Sequence, residues 1–234
     1  RRLMRRILVD QNSKRIRRQS QWWSQSRSNV GRTSRGTSKE YIMDKNFFII
    51  DNFYNNPEEV REYALGREFI TEGNYPGYRT NPEHKEQHEY LKEFFEESVI
   101  NKPITFWPEE YNTAYQITTN ESKTWIHHDD TIWAAVLYLT PNAPAESGTG
   151  IYRHKPTGIY EWDRVKDSAS DFNHSDFLGD DSMDQWEQIA YVGNVFNRLV
   201  CYKGSLYHRS VVPGFGTDKY SGRLFQTFFF DTQE

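Results

Sequence analysis

The chain has 234 residues, a length that holds one domain, or one domain with a tail, at roughly 100 to 200 residues per domain. Aromatic residues make up 16% of it against 36% hydrophobic overall, which favours a β-sheet core over a helical bundle; no apolar run approaches the roughly 20 residues of a bilayer-spanning helix. The single cysteine, Cys201, excludes an intramolecular disulfide and a cysteine-based zinc cage, and the reading is of a soluble protein suited to a reducing cytoplasm.

The net charge of -4 hides a division of the chain. Residues 1–40 hold 12 Lys and Arg against 2 Asp and Glu, a charge of +10; the remainder holds 17 against 31, a charge of -14. Residues 1–42 therefore read as a basic, disordered tail with little to bury. Trp22 and Trp23 beside its arginines could stack on nucleic acid bases. The chain does not begin with Met, however, and Met43 stands directly before the first strand-like run, so the tail reads as upstream sequence or a non-native extension set apart from function. The apolar stretch at residues 7–9 is too short for a secretory signal. The folded domain is expected over residues 43–234.

Residues 46–51 form a short apolar run with the look of a buried strand. A helix is expected next, with Asn56 as its cap, Pro57 in its first turn, Glu59 as a capping-box partner and Gly66 as its stop. After the turn-rich segment 73–78, a second helix is predicted to run to about Ile100, with Leu91, Phe94, Phe95 and Val99 on one face. Beyond Pro108 the helical period gives way to eight short β-like runs at residues 114–119, 123–128, 133–139, 150–153, 188–192, 198–202, 206–212 and 223–230. Eight strands joined by turns suggest a sandwich or jelly roll. The Asp-rich segment 161–187 interrupts them as a long inserted surface loop.

The densest chemistry is Trp125-Ile126-His127-His128-Asp129-Asp130, just before the apolar run 133–139. In an extended chain residues two apart share a face, so His127 with Asp129, or His128 with Asp130, can aim an imidazole and a carboxylate at one ion. Spacing alone leaves both pairs open. Two imidazoles and one carboxylate with open positions is the ligand set of non-haem Fe(II) oxygenases, and His208, in a late strand, is the leading third ligand, with His154 the nearest competitor in sequence. A P-loop, a G-x-G-x-x-G, a G-x-S-x-G elbow and an H-E-x-x-H helix are all missing from the sequence. Cys201, in an apolar run, reads as a buried small hydrophobe.

The order of these parts, H-x-D, a strand ending Tyr138-Leu139, the turn Gly148-Thr149-Gly150, His208, then Gly222-Arg223 opening the last strand, resembles the Fe(II)- and 2-oxoglutarate-dependent oxygenases. Within them it resembles the prolyl-4-hydroxylase-like branch and the small hydroxylases of phage and marine bacterial genomes, over about residues 44–231. The segments Ile50-Asp51-Asn52-Phe53-Tyr54, Asn56-Pro57-Glu58-Glu59-Val60-Arg61 and Tyr75-Pro76-Gly77-Tyr78-Arg79-Thr80 share that likeness. The resemblance implies a mainly β, α+β domain built as a double-stranded β-helix with flanking helices, and a metal site of His127, Asp129 and His208. Its cofactors would be Fe(II), 2-oxoglutarate as cosubstrate, and O2. Arg223 would meet the distal carboxylate of 2-oxoglutarate, a role suited to a planar, permanently charged fork. Two departures stand out: the gap from His208 to Arg223 is long, and Phe225 replaces the small hydroxyl residue common two positions after the arginine. Tyr138 is then the expected hydroxyl contact to the cosubstrate, with Gln116 a further contact.

The implied activity is hydroxylation of a peptide or small-molecule substrate, a protein side chain such as proline being favoured, with release of succinate and CO2. The expected setting is the cytoplasm, the host's if the protein is phage-encoded, with no membrane partner. The acidic charge of the domain argues against nucleic acid as its partner. The alternative is a jelly-roll or cupin-like metal-binding module, or a virion-associated binding module, without catalysis.

Overall fold

The computed structural model describes residues 46–70, 73–162 and 183–233. The expected basic tail, and most of the expected acidic loop at 161–187, lie outside them. The strands among the described residues are β1 (Phe47–Ile50), β2 (Tyr78–Arg79), β3 (Ile104–Phe106), β4 (Tyr115–Thr118), β5 (Trp133–Tyr138), β6 (Thr149–His154), β7 (Trp186–Val192), β8 (Leu199–Lys203), β9 (His208–Ser210) and β10 (Arg223–Thr232). Two helices, α1 (Pro57–Leu65) and α2 (Lys85–Phe94), lie between β1 and β3.

The strands form two antiparallel sheets. The larger has the order β1-β8-β5-β10-β4-β2, with β3 also paired to β10, and the smaller has the order β7-β6-β9. This mainly β arrangement with two flanking helices is a double-stranded β-helix, or jelly roll. No helix among the described residues is long and apolar enough to cross a membrane.

The two faces of the large sheet do different work because side chains alternate along each strand. One face packs on the helices: Leu224, Phe228 and Phe230 of β10 and Ala135 and Leu137 of β5 join Val60 and Ala64 of α1 and Leu91 of α2 in the main core. The other face, with Phe225, Ala134, Tyr138, Val200 and Tyr202, meets Ile151 and Val192 of the small sheet and Leu206. Directly opposed residues share a face. The register therefore lays Arg79, Gln116, Phe225 and Tyr138 in one row across β2, β4, β10 and β5 on the interior face. Arg223, two residues before Phe225, lies on the same face.

Several expectations are corrected. Asn56 precedes α1 but makes no side-chain capping bond, its backbone lying at φ -125° and ψ 68°. The second helix does reach Ile100, but from Phe95 it widens into π-helical winding until Asn101, at φ 58°, ends it. Leu91, Phe95 and Val99 recur every four residues, a repeat that α winding overshoots and π winding undershoots. The two drifts offset one another, and all three side chains stay buried. Residues 123–128, expected as a strand, contribute only an isolated bridge at His127. Strands β2 and β3 were not anticipated.

Candidate metal centre

Three side chains separated by up to 81 positions converge at one end of the jelly roll. His127 and His208 exchange backbone hydrogen bonds, N to O at 3.0 Å and 2.8 Å, in an isolated antiparallel bridge. Asp129 is drawn in by its own N–H, which donates to the Gly204 carbonyl at 2.8 Å. That approach requires glycine: a Cβ on Gly204 would run into the Thr131 carbonyl oxygen and lie 3.2 Å from the Asp129 Cβ. The ligand atoms of His127, Asp129 and His208 all lie within 4.8 Å of one another.

The protonation of both imidazoles is set by backbone carbonyls. His127 Nδ1 lies 3.0 Å from the Trp125 carbonyl oxygen, and His208 Nδ1 lies 2.8 Å from that of Leu206. A carbonyl only accepts, so each Nδ1 carries its hydrogen and donates it, and in the neutral ring the lone pair is then on Nε2. Burial, with His208 close by, pushes the His127 imidazole down to about 4, so it is neutral at neutral pH. Burial works to raise the Asp129 carboxyl, but His208, His127 and His128 outweigh it and hold it below the usual aspartate value.

With both imidazoles in the neutral form, the three groups face one another as acceptors. His208 Nε2 lies 3.3 Å from Asp129 Oδ2, a buried oxygen without a hydrogen-bond partner among the described residues. Such a grouping is unfavourable unless a cation sits among the donors. Two imidazole nitrogens and one carboxylate fit a divalent transition metal that keeps other positions open. His128 and Asp130 do not join this cluster. The His128 ring stacks on Trp162 at 4.3 Å and 14°, and Asp130 is exposed. His154, the competing histidine, sits on β6 with Nδ1 2.9 Å from Thr157 Oγ1.

Arg223 begins β10 at 3% exposure. Its Nε donates to the Ser147 carbonyl at 2.8 Å, and its guanidinium lies 4.3 Å above the Phe225 ring and 5.4 Å from the centre of the Tyr138 ring. Burial lowers its pKa, and among the described residues no carboxylate lies within ion-pair distance of it. Tyr138 is fully buried, with its hydroxyl 2.7 Å from Thr149 Oγ1. The Gln116 amide is already engaged: its oxygen accepts from Arg79 Nε at 2.7 Å and its Nε2 donates to the Pro76 carbonyl at 2.6 Å.

Sequence reasoning missed Arg79 and Gly204 as parts of this region. A cation next to Tyr-Pro-Gly reads as an ordinary surface residue until the pairing of β2 with β4 sets it beside Gln116. Nothing local to Gly204 points to Asp129, 75 positions away.

Comparison with solved structures gives the same architecture at low sequence identity. HygX from Streptomyces hygroscopicus, solved with nickel and 2-oxoglutarate bound, aligns at a TM-score of 0.50 and 13% identity over 84% of this chain and 87% of that one. A prolyl hydroxylase from Trichoplax adhaerens, in complex with a hypoxia inducible factor peptide fragment, aligns at 0.45 and 14% over 80% and 84%. A prolyl-4-hydroxylase from Pseudomonas putida aligns at 0.44 and 14% over 81% and 94%. The likeness to HygX, at this identity, is one of fold. A search of curated proteins finds no match. Residues 37–230 match the family model described as a family of unknown function, DUF6445, and the chain belongs to that family.

Proposed function

We propose that this domain is an Fe(II)- and 2-oxoglutarate-dependent dioxygenase, with His127, Asp129 and His208 as metal ligands. The observation that carries the reading is Arg223, a buried cation without a carboxylate partner among the described residues, on the same interior face as the acceptor cluster. A protein that only bound a metal would have no need to desolvate that charge, whereas a dicarboxylate held by the metal at one end requires a cation at the other. The likeness in fold to a protein that holds nickel and 2-oxoglutarate agrees with it.

Each residue then has a task. Iron, when bound, supplies the activation of O2 coupled to oxidative loss of CO2 from 2-oxoglutarate, so that one oxygen atom enters succinate and the other enters a C–H bond of the substrate. Trp125 and Leu206 hold the two imidazoles as Nδ1–H tautomers and so keep their Nε2 lone pairs directed at the ion. Ser147 fixes the Arg223 Nε and the Tyr138 hydroxyl interacts with the guanidinium, whose remaining N–H groups would receive the distal carboxylate. Tyr138 and Phe225 wall that end of the cosubstrate site. With Phe225 in place of a small hydroxyl residue, Tyr138 is the hydroxyl nearest to hand. The Tyr75–Thr80 segment supports a place in the prolyl-4-hydroxylase-like branch, near the small phage and marine bacterial type, and a hydroxylated protein side chain or small molecule as product.

The test is conversion of 2-oxoglutarate to succinate by the purified full chain loaded with Fe(II), together with the charge-transfer absorption that develops when 2-oxoglutarate is added without oxygen. Both signals are expected in the wild-type protein. Metal binding without either signal would return the domain to a non-catalytic metal-binding role.

A further inference from the structure

A second cation stands on the interior face, and the assignments above leave it unused. Arg79, on β2, is directly opposite Gln116 and in the same cross-strand row as Phe225 and Tyr138. Its Nε donates to Gln116 Oε1 at 2.7 Å and its guanidinium lies 3.7 Å from the centre of the Tyr75 ring. Gln116 is itself fixed by Pro76, and the turn between them is locked by Gly77, at φ 72°, where a Cβ would run into the Ile117 carbonyl oxygen. The side chain is therefore built into place from three directions: an amide in plane, an aromatic ring on one face, and a turn that admits only glycine.

What Arg79 lacks is an anion. Among the described residues no carboxylate lies within ion-pair distance, and its two terminal nitrogens donate no hydrogen bond. Burial lowers its pKa to about 10, offset in part by Tyr75 and then by the charge of Asp129, which lies within electrostatic reach. Once Asp129 holds a metal, its charge is committed to that ion. Arg79 is then a half-buried cation within electrostatic reach of the metal ligand Asp129, its Nε held by a protein oxygen as that of Arg223 is.

We infer that Arg79 anchors a carboxylate of the substrate to be oxidised, so that the substrate is an organic acid, either a free acid or an acidic side chain of a peptide. The inference rests on reading Arg223 as the 2-oxoglutarate partner. One cation then serves each anion, and Gln116 and Tyr75 are positioning residues that hold Arg79 in line. Stacking of the guanidinium on Tyr75 leaves its edge, the bidentate donor surface, for the ligand.

The experiment uses full-length protein loaded with Mn(II), which prevents turnover, and saturated with 2-oxoglutarate. Phenylacetate and its neutral counterpart phenylacetamide are titrated by calorimetry, beside N-acetylglutamate N-methylamide and the corresponding glutamine compound. The acid of at least one pair is expected to bind more tightly than its amide. Which acid is tighter separates a free acid from a peptide side chain as the source. Arg79→Met should weaken the preferred acid by roughly tenfold to a hundredfold, the loss expected for a charge-assisted contact. It should leave the amide and 2-oxoglutarate unchanged, and Arg79→Lys should recover part of the loss.

Equal binding of acid and amide by the wild-type protein in both pairs overturns the inference without recourse to any variant. So does acid binding that survives Arg79→Met but disappears in Arg223→Gln. Failure of 2-oxoglutarate to bind the wild-type protein sinks the oxygenase reading instead, and is seen in the same calorimeter before any acid is added.

Discussion

His127 and His208 are joined by their backbones before any metal is considered, each donating its N–H to the other's carbonyl across a single bridge. The ligand geometry is therefore carried by the chain, and removing one imidazole should leave the bridge in place. His127→Ala, Asp129→Ala and His208→Ala are each expected to abolish 2-oxoglutarate turnover and to weaken Fe(II) binding strongly. His128→Ala and Asp130→Ala should do far less, because one ring stacks on Trp162 and the other side chain is exposed. Calorimetric titration of the five variants with Fe(II) under anaerobic conditions checks this. A loss confined to the last two would reassign the ligands.

Arg223→Ala tests the cosubstrate assignment. Iron should bind as before, while affinity for 2-oxoglutarate falls by about 2 to 5 kcal/mol, the range seen when one member of a desolvated charge pair is truncated. Arg223→Lys should restore a fraction, since a point charge does not reproduce the fork. The charge-transfer band, followed through a 2-oxoglutarate titration without oxygen, gives the affinities.

Much of the fold was legible because its strands are short apolar runs between turns: 133–139 and 223–230 became β5 and β10 within two residues at either end. The segment 123–128 looked like a strand for the same reason, yet Asp129 N–H turns to Gly204 and only His127 joins a ladder. Strand β2 is two residues long in a Gly- and Pro-rich stretch, where local preference favours a loop and only pairing with β4 makes it extended. The cluster of His127, Asp129 and His208 followed from residue types and their order. Arg79 did not, since its position depends on a partner 37 residues away, and such a cross-strand contact is a tertiary property that no local pattern encodes.

Gly204→Ala should act on the metal site through the backbone. The added methyl group would collide with the Thr131 carbonyl and press on Asp129 Cβ, so the loop carrying the carboxylate must shift. Fe(II) affinity is expected to fall tenfold or more, roughly the effect of disturbing the shell behind a metal ligand, while the melting temperature of the metal-free protein changes less than in a core variant such as Phe228→Ala. Anaerobic Fe(II) titration and thermal melts of the two variants side by side provide the comparison.

A pH response is expected from His88, far from the metal ligands. Its Nδ1 accepts the Trp107 indole N–H at 3.1 Å, its Nε2 lies 3.2 Å from Thr113 Oγ1, and the residue is 2% exposed. Burial holds its pKa below the ordinary 6.5. The unfolded chain thus takes up a proton that the folded chain refuses. The contribution is fully present above about pH 6.5 and is lost as the pH falls below it, by up to about 1.4 kcal/mol per pH unit. Denaturant unfolding of wild type and His88→Gln between about pH 7.5 and 5, both with chelator, should give the shallower slope in the variant. Parallel slopes would refute the assignment.

The charge break predicts that residues 43–234 fold and bind metal without the basic segment. Equal melting temperatures and Fe(II) affinities for the full chain and the shortened one are expected, and failure of the shorter protein to fold would show that the segment contributes to the domain.

Strand β10 carries its even-numbered residues Leu224, Phe228 and Phe230 into the helix-facing core, and its odd-numbered residues Arg223 and Phe225 into the interior where the metal and cosubstrate would meet. Tolerance to substitution along this one strand should therefore oscillate with a period of two. Changes at even positions would lower the amount of folded protein and leave the activity per molecule intact, while changes at Arg223 and Phe225 would spare the yield and alter the kinetics. Selection acting on abundance and selection acting on chemistry would then fall on alternate residues, and a relative that exchanged its substrate could rewrite one set without disturbing the other.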